Sequence, residues 1–435
     1  MSEKSTPSTR FDGFTNAWEQ RKGSRAVPAL RFKADDGSAF PEWEEKKLGD
    51  IAEKIDRKAT SESTADIRMI SQGEGFILQS RKYSRQNAGK SLSKYLLLKK
   101  NEFAYNHGAS KAKPFGVTYR LVESSEARVP YVYHAFSITQ GDLGFWSYAL
   151  NTESIERQLQ KMITSGVRMD GLLNISFEAY MSVSIPFPCV AEQHKIASLL
   201  SSVDETLDLC QRKLGLLTQA KKALMQQIFS QKLRFKADDG SEFPAWEEET
   251  VGDLFVFVSS KNTGNTIDNV ITNSAEFGLI PQRDFFDKDI AVEGRTENYT
   301  IIHKGDFVYN PRKSTTAPYG PFNMYSREEV GIVSPLYTCL TPINSDSSDY
   351  LAWYFQTDRW FSYIVKNGAQ GGARHDRVGM TNELMKKIPV QVPSLPEQKK
   401  IASCLSSADA LIAQARAELK QWREVKKSLL QQMFV

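Results

Sequence analysis

The sequence predicts an α+β protein built twice over: two α/β domains separated by two long helices, which pair as an antiparallel coiled coil with a pseudo-two-fold internal repeat. Three observations predict it. A 21-residue element occurs twice, a 39-residue element occurs twice at nearly the same offset, and the longer element carries a sustained apolar heptad.

The shorter element reads LRFKADDGSAFPEWEEKKLGD at Leu30–Asp50 and LRFKADDGSEFPAWEEETVGD at Leu233–Asp253, with 16 of 21 positions identical. The longer reads AEQHKIASLLSSVDETLDLCQRKLGLLTQAKKALMQQIF at Ala191–Phe229 and PEQKKIASCLSSADALIAQARAELKQWREVKKSLLQQMF at Pro396–Phe434, with 17 of 39 identical. The copies lie about 203–205 residues apart, so the 435-residue chain is a tandem duplication. Its boundaries follow from the repeats. Residues 1–29 form an N-terminal extension, 30–190 a first variable domain with its leading frame, and 191–232 a central long helix. Residues 233–393 form the second variable domain with its frame, and 394–435 a C-terminal long helix. The extension holds a partial third copy, RFDGFTNAWEQRK, from Arg10 to Lys22.

Between the frames the two halves diverge. Faint echoes remain: Phe103-Ala104-Tyr105-Asn106 against Phe307-Val308-Tyr309-Asn310, and Ile185-Pro186 against Ile388-Pro389. Matched frames around divergent contents suggest one scaffold presenting two different binding surfaces.

In the first long element the apolar positions are Ile196, Leu200, Val203, Leu207, Cys210, Leu214, Leu217, Leu224 and Ile228, with Lys221 in the one wide gap. The second keeps the frame with Ile401, Leu405, Ala408, Ile412, Ala415, Leu419, Trp422, Leu429 and Met433, and Lys426 sits in the matching gap. Steps of four and three make a narrow stripe that needs a partner stripe. The two stripes match, lie on one chain, and connectivity makes them antiparallel; pairing between chains is the alternative. Pro396 suits a first helical turn, and Gly215 costs its helix about 1 kcal/mol. A 39-residue helix spans about 58 Å at 1.5 Å per residue, or roughly 17 base pairs of B-DNA.

The variable domains read as mixed α/β. Strand-like runs include Leu96–Leu98, Val129–Tyr133, Phe255–Val258 and Ile332–Leu336; helix candidates include Ser154–Ile163 and Tyr350–Lys366. Basic residues gather in polar or glycine-containing segments. The first domain has Arg81, Lys82, Arg85, Lys90, Lys111, Lys113 and Arg168. The second has Arg283, Arg295, Arg312, Lys313, Arg374, His375 and Arg377. Cations among Ser, Thr, Asn and Gln supply phosphate contacts and base-edge readout. These fourteen are the candidate DNA-binding residues.

No catalytic pattern emerges. Gly89-Lys90-Ser91 resembles the end of a phosphate-binding loop, but the position that loop needs as glycine is Ser84. Asn310-Pro311-Arg312-Lys313 approaches the catalytic tetrapeptide of adenine methyltransferases but lacks its second proline and its aromatic. The five histidines show no metal-site spacing, and His194 matches Lys399 in the other copy, so it reads as surface. Cys189, Cys210, Cys339 and Cys404 form no metal-ligand pair and read as free thiols. Gly368–Ala373 reads as a turn or a DNA-facing segment. No run approaches 18 apolar residues, and the polar N-terminus lacks a signal-peptide core, so the chain is expected in the cytoplasm, off the membrane. A net charge of +4 hints weakly at a polyanionic partner.

RFDGFTNAWEQRK, FPEWEEKKLGD, and the junctions IPFPCVAEQHKIAS and IPVQVPSLPEQKKIAS running into a helix that ends KKxLxQQ(I/M)F resemble the type I restriction–modification specificity (S) subunits over essentially the whole chain. The resemblance implies a non-catalytic DNA-binding subunit. Each variable region would be a target recognition domain reading one half of a bipartite asymmetric site on double-stranded DNA, and the paired helices would set the gap. It also implies that the frames dock two modification (methyltransferase) subunits, with restriction (motor-nuclease) subunits joining them. No cofactor would bind this chain; S-adenosylmethionine, ATP and magnesium belong to the partners. Two other readings are open: a tandem-repeat coiled-coil scaffold that binds proteins, or a single-chain DNA methyltransferase or nuclease with an unrecognised site.

Overall fold

Each heptad stripe becomes one unbroken helix. A computed structural model describes residues 28–60, 63–83, 94–108, 110, 113–163, 172–285, 296–368 and 376–434. The partial third copy in the extension, and Arg85, Lys90, Lys111, Arg168, Arg295, Arg374 and His375, lie outside the described residues. The chain divides into two units, residues 1–211 with 417–435, and residues 212–416. Each unit holds one half of each long helix.

The first unit runs β1 (Glu44–Lys47), β2 (Ala52–Lys54), β3 (Arg68–Ser71), β4 (Gly75–Leu78), α1 (Gln79–Lys82), β5 (Leu96–Lys99), β6 (Phe103–Asn106), β7 (Val117–Arg120), β8 (Glu126–Val129) and β9 (His134–Ile138). It continues with α2 (Leu143–Ala149), α3 (Glu153–Met162), α4 (Phe177–Met181), β10 (Ser184–Phe187) and the start of α5 (Val190–Phe229). The second unit takes over the end of α5 and repeats the pattern: β11 (Glu247–Thr250), α6 (Val251–Leu254), β12 (Phe255–Phe257), β13 (Val270–Ser274), β14 (Gly278–Pro281), α7 (Gln282–Phe285) and β15 (Thr300–Ile302). Then follow β16 (Phe307–Tyr309), β17 (Phe322–Met324), β18 (Gly331–Val333), β19 (Thr338–Pro342), α8 (Ser348–Tyr354), α9 (Phe361–Asn367), α10 (Asn382–Lys386), β20 (Pro389–Val392) and α11 (Leu395–Met433), whose last part returns to the first unit.

The duplication is plainer in topology than in sequence. The first unit has an antiparallel sheet ordered β2-β9-β6-β7, and the second has β12-β19-β16-β17. β10 and β20 close ladders with β1 and β11, but the recurring Ile-Pro pairs fall two residues out of step: Pro186 lies inside β10 facing Glu45, whereas Ile388 precedes β20 and Pro389 opens it facing Thr250, as Ser184 faces Lys47.

Two expected strands are largely turn: only Val129 of Val129–Tyr133, and only Ile332 and Val333 of Ile332–Leu336, lie in a strand. β8 stops at Val129 because Pro130 has no N–H to give the ladder, and a turn closed by Tyr133 N to Pro130 O follows. β18 stops at Val333 before the equivalent Ser334–Tyr337 turn. The single helix expected over 350–366 is two, because Thr357 Oγ1 donates to Tyr354 O and the Trp360 indole to Phe355 O, capping the first helix from within.

The heptad positions lie inside. In the first unit Ile196, Leu200 and Val203 of α5 are buried with Leu429 and Met433 of α11, and Leu207 and Trp422 pack partly buried beside them. In the second, Ile228 of α5 is buried with Ile401 and Leu405 of α11, and Leu224 packs beside them. Ile412 and Leu419 are buried, while Leu214 and Leu217 are half-buried. The helices run antiparallel in each unit and are linked there by an ion pair, Lys426–Asp204 in the first and Lys221–Asp409 in the second. Pro396 is the second residue of its helix, where no N–H is missed.

The matched frames are each other's binding partners. Arg31 grips Glu192 through Nε to Oε1 (3.0 Å) and Nη2 to Oε2 (2.6 Å), while the Trp43 indole donates to Oε2 at 2.8 Å. Arg234 grips Glu397 in the same way at 3.1 and 2.6 Å, with the Trp246 indole at 3.1 Å. Both carboxylates are fully buried. Lys195 and Lys400 reach Asp35 and Asp238 (2.5 and 2.6 Å). His194, half-exposed, holds Asp142 at 2.8 Å as Lys399 holds Asp346 at 3.1 Å, so a contact persists through the change of residue type. The short element is thus a clip that closes on the first turns of each long helix.

Candidate nucleic-acid interface

β6 and β16, the Phe-x-Tyr-Asn echoes, lead into loops of the same construction. Tyr, Asn, Ser, Pro and Gly recur at matched spacing in Tyr105–Gly116 and Tyr309–Gly320. Each opens with an Asx turn, in which Asn106 Oδ1 accepts from Gly108 N and Asn310 Oδ1 from Arg312 N, both at 3.0 Å. A second turn follows, Ser110 N to Lys113 O and Ser314 N to Ala317 O, with each serine hydroxyl accepting in return. The tyrosine hydroxyls tie the far end, Tyr105 to Phe115 O (2.6 Å) and Tyr309 to Tyr319 O (2.8 Å). Gly116 and Gly320 close the loops at φ +80° and +84°. A Cβ on Gly320 would meet Asn310 O at 2.0 Å. Gly320→Ala is therefore expected to cost about 1–3 kcal/mol from the backbone conformation alone, with the collision added; a urea midpoint unchanged from the parent would contradict it.

Both loops are clamped by a returning segment. Leu173 N donates to His107 O, and Val378 N to Pro311 O, each at 2.9 Å. In the second unit the clamp extends: Lys313 N donates to Asp376 O at 2.8 Å, and Arg312 pairs directly opposite Arg377. Arg312, Lys313 and Arg377, separate clusters in the sequence, thus share one short ladder. Asp376 lies 3.7 Å from the largely exposed Arg312 guanidinium.

The other basic residues occupy a second common position. Arg81 and Lys82 lie exposed on α1, directly after the β3–β4 hairpin, and Arg283 lies exposed on α7, after β13–β14. Hairpin and loop touch in both units: Ser110 Oγ donates to Gln72 at 2.7 Å, and Asn310 Nδ2 donates to Asn273 O at 3.1 Å. Lys113 faces inward, its ammonium on Glu156 at 2.6 Å. The serine, proline and glycine of the loop stand in the sequence as a spaced pattern, but the echo of four strand residues gives no hint that it continues into them.

Behind the first loop, His107 stacks on His134 at 4.8 Å and bridges Leu173 O and Val132 O. His134 Nε2 donates to Ile175 O at 2.8 Å. Burial, together with His107 and Lys54 nearby, lowers the His134 pKa below its ordinary 6.5; Ile175 O and Glu178 oppose the shift. The unfolded chain takes up this proton as pH falls through about 6.5, whereas the folded chain resists it to lower pH. The contribution is therefore present above 6.5 and lost below it. Between pH 7.5 and 5 the first unit is expected to lose thermal stability, and His134→Phe to flatten that dependence. Parallel melting curves check it.

Among the described residues no cluster of three or more His, Cys, Asp or Glu could hold a metal ion, and no helix is long and apolar enough to cross a membrane.

Comparison with known proteins matches residues 245–421 to the family described as type I restriction modification DNA specificity domain. The type I restriction enzyme MjaVIII specificity subunit of Methanocaldococcus jannaschii is 22% identical over 291 residues, 62% of this chain and 66% of that subunit. The chain spans less than two thirds of the length of the curated relatives it matches. The crystal structure of the type I restriction–modification S subunit from M. genitalium superposes with a TM-score of 0.53 at 15% identity, covering 94% of this chain and 99% of that one. A chain from a structural study of complex assembly and conformational transition of the type I R-M system gives 0.52 at 14%, covering 91% and 98%. Residues 245–421 thus match the type I restriction modification DNA specificity domain, and the doubled frame with its paired helices is similar in sequence and in fold to type I specificity subunits.

Proposed function

We propose that the chain is the sequence-specific, non-catalytic DNA-binding subunit of a type I restriction–modification enzyme. Residues 30–190 and 233–393 are its two target recognition domains, each reading one half of a bipartite asymmetric site. The helices of 191–232 and 394–435 set the gap and, with the clips, dock two modification subunits. Restriction subunits complete the enzyme. S-adenosylmethionine, ATP and magnesium are held by those partners, and the assembly works in the cytoplasm.

The observation that carries this reading is the doubled loop. Two domains of divergent sequence keep the same Asx-turn loop and the same hairpin-to-helix step, with arginines and lysines exposed on them. Rigid backbone with exchangeable polar and cationic side chains suits a reader of different half-sites, because phosphates fix position while base edges specify sequence. Arg81, Lys82, Arg283, Arg312, Lys313 and Arg377 are its described contact candidates; Lys113, paired inward, contributes less.

Long-read methylation mapping of cells expressing the chain with its modification subunit tests the reading. Adenine methylation at one two-part motif, present only with this chain, is the expected result. Assembled subunits that leave no such motif would reject it.

A further inference from the structure

The two lysines that interrupt the heptads are answered alike. Lys221 of α5 is largely buried, and its Nζ lies 2.5 Å from Asp409 of α11 and 4.3 Å from the centre of the Trp353 ring. Lys426 of α11 lies 2.5 Å from Asp204 of α5 and 5.6 Å from the centre of the Tyr148 ring, whose hydroxyl donates to the same carboxylate at 2.9 Å. The duplication relates the two arrangements, yet each aromatic comes from a domain whose sequence has otherwise diverged. A lone polar group in a coiled-coil seam sacrifices stability and specifies alignment.

We propose that Lys221–Asp409 and Lys426–Asp204 are register-determining pairs: they hold the two helices in a single antiparallel alignment and so hold the DNA gap to a single length. This rests on the reading of the chain as a DNA specificity subunit. The rest of the seam is almost wholly apolar and repeats every seven residues, so its pattern alone does not exclude a one-heptad slip. The lysines do. In one direction Lys221 would face Arg416, a like charge, and Lys426 would face Gln211. In the other, they would face Ala402 and Ala197, which offer no acceptor. A slip moves one helix by about 10 Å, or roughly 3 base pairs.

The test uses the full chain, as the parent, as Lys221→Leu with Lys426→Leu, and as the exchanged pairs Lys221→Asp with Asp409→Lys and Lys426→Asp with Asp204→Lys. Spin labels at the exposed positions Gln211 and Glu424, one on each helix, report alignment without DNA. The parent should give one distance. The leucine variant should give a second population, and the exchanged pairs should restore one. In complex with the modification subunit, the methylated motif should broaden from one gap length to lengths about 3 base pairs apart in the leucine variant alone. A leucine variant that keeps one distance and one gap overturns the proposal. So does one that loses its helices and recovers them in the exchanged pairs, since that makes the lysines general stabilisers. Register shifts in a chain whose parent methylates no motif would reject the DNA reading and leave the register assignment standing.

Discussion

Glu397→Ala will unfold much of the second unit under conditions where the parent is folded, because it removes the sole carboxylate of a buried three-donor clip. Arg234 and the Trp246 indole both aim at that side chain, which has no exposure to solvent. Arg234 then keeps two carbonyls, Pro244 O at 2.6 Å and Phe243 O at 3.4 Å, and no carboxylate that faces its Nε. Breaking one side of a buried ion pair costs about 3–5 kcal/mol, against a total stability of roughly 5–15 kcal/mol for a domain. The loss is more than energetic. The clip fastens the frame to the first turn of α11, the point from which that helix is aimed. Glu192→Ala should act equally on the first unit, through Arg31 and Trp43. Urea titration followed by tryptophan fluorescence reads both. Replacing Arg234 by Met and Glu397 by Leu together should recover much of the loss, since a pair exchanged for apolar groups of similar volume is close to neutral. A single variant within about 1 kcal/mol of the parent would mean that water already reaches the carboxylate.

The clip also shows what a sequence of this kind reveals. The repeated LRFKADDGS and EQxKIAS segments announced a frame, and the heptads announced its helices with their core positions, because both depend on local spacing that a single chain displays. That the two segments bind each other was invisible: Arg31 and Glu192 are 161 residues apart, and no periodicity links them. The variable domains were less legible still. Val129–Tyr133 looked like one strand because its side chains are apolar, but Pro130 cannot donate and the ladder ends there. At the candidate interface, composition picked out Arg312, Lys313 and Arg377 one by one. Only the ladder between 311–313 and 376–378 brings them together, and ladder pairing across more than 60 residues has no signature in the sequence.

That ladder carries the largest expected effect on binding. Changing Arg312, Lys313 and Arg377 together to Ser should weaken DNA binding by the complete methyltransferase complex and flatten its salt dependence. Each cation neutralising a phosphate adds a slope of about 0.9, which at 0.1 M salt is roughly an eightfold gain relative to 1 M. Without the three cations the slope would fall by about 2.7 and the affinity by up to about 500-fold. Should Arg312 or Arg377 read a base edge instead, the slope would fall less, and discrimination would relax at one position of one half-site. Affinity and slope both unchanged would take this ladder off the DNA. The geometry argues against that outcome. Two arginines sit directly opposite one another, where like charges destabilise a ladder, and the carboxylate of Asp376 beside them is 3.7 Å from Arg312 and itself half exposed. A polyanion laid across the ladder would replace the repulsion between the two guanidiniums with attraction to a shared partner.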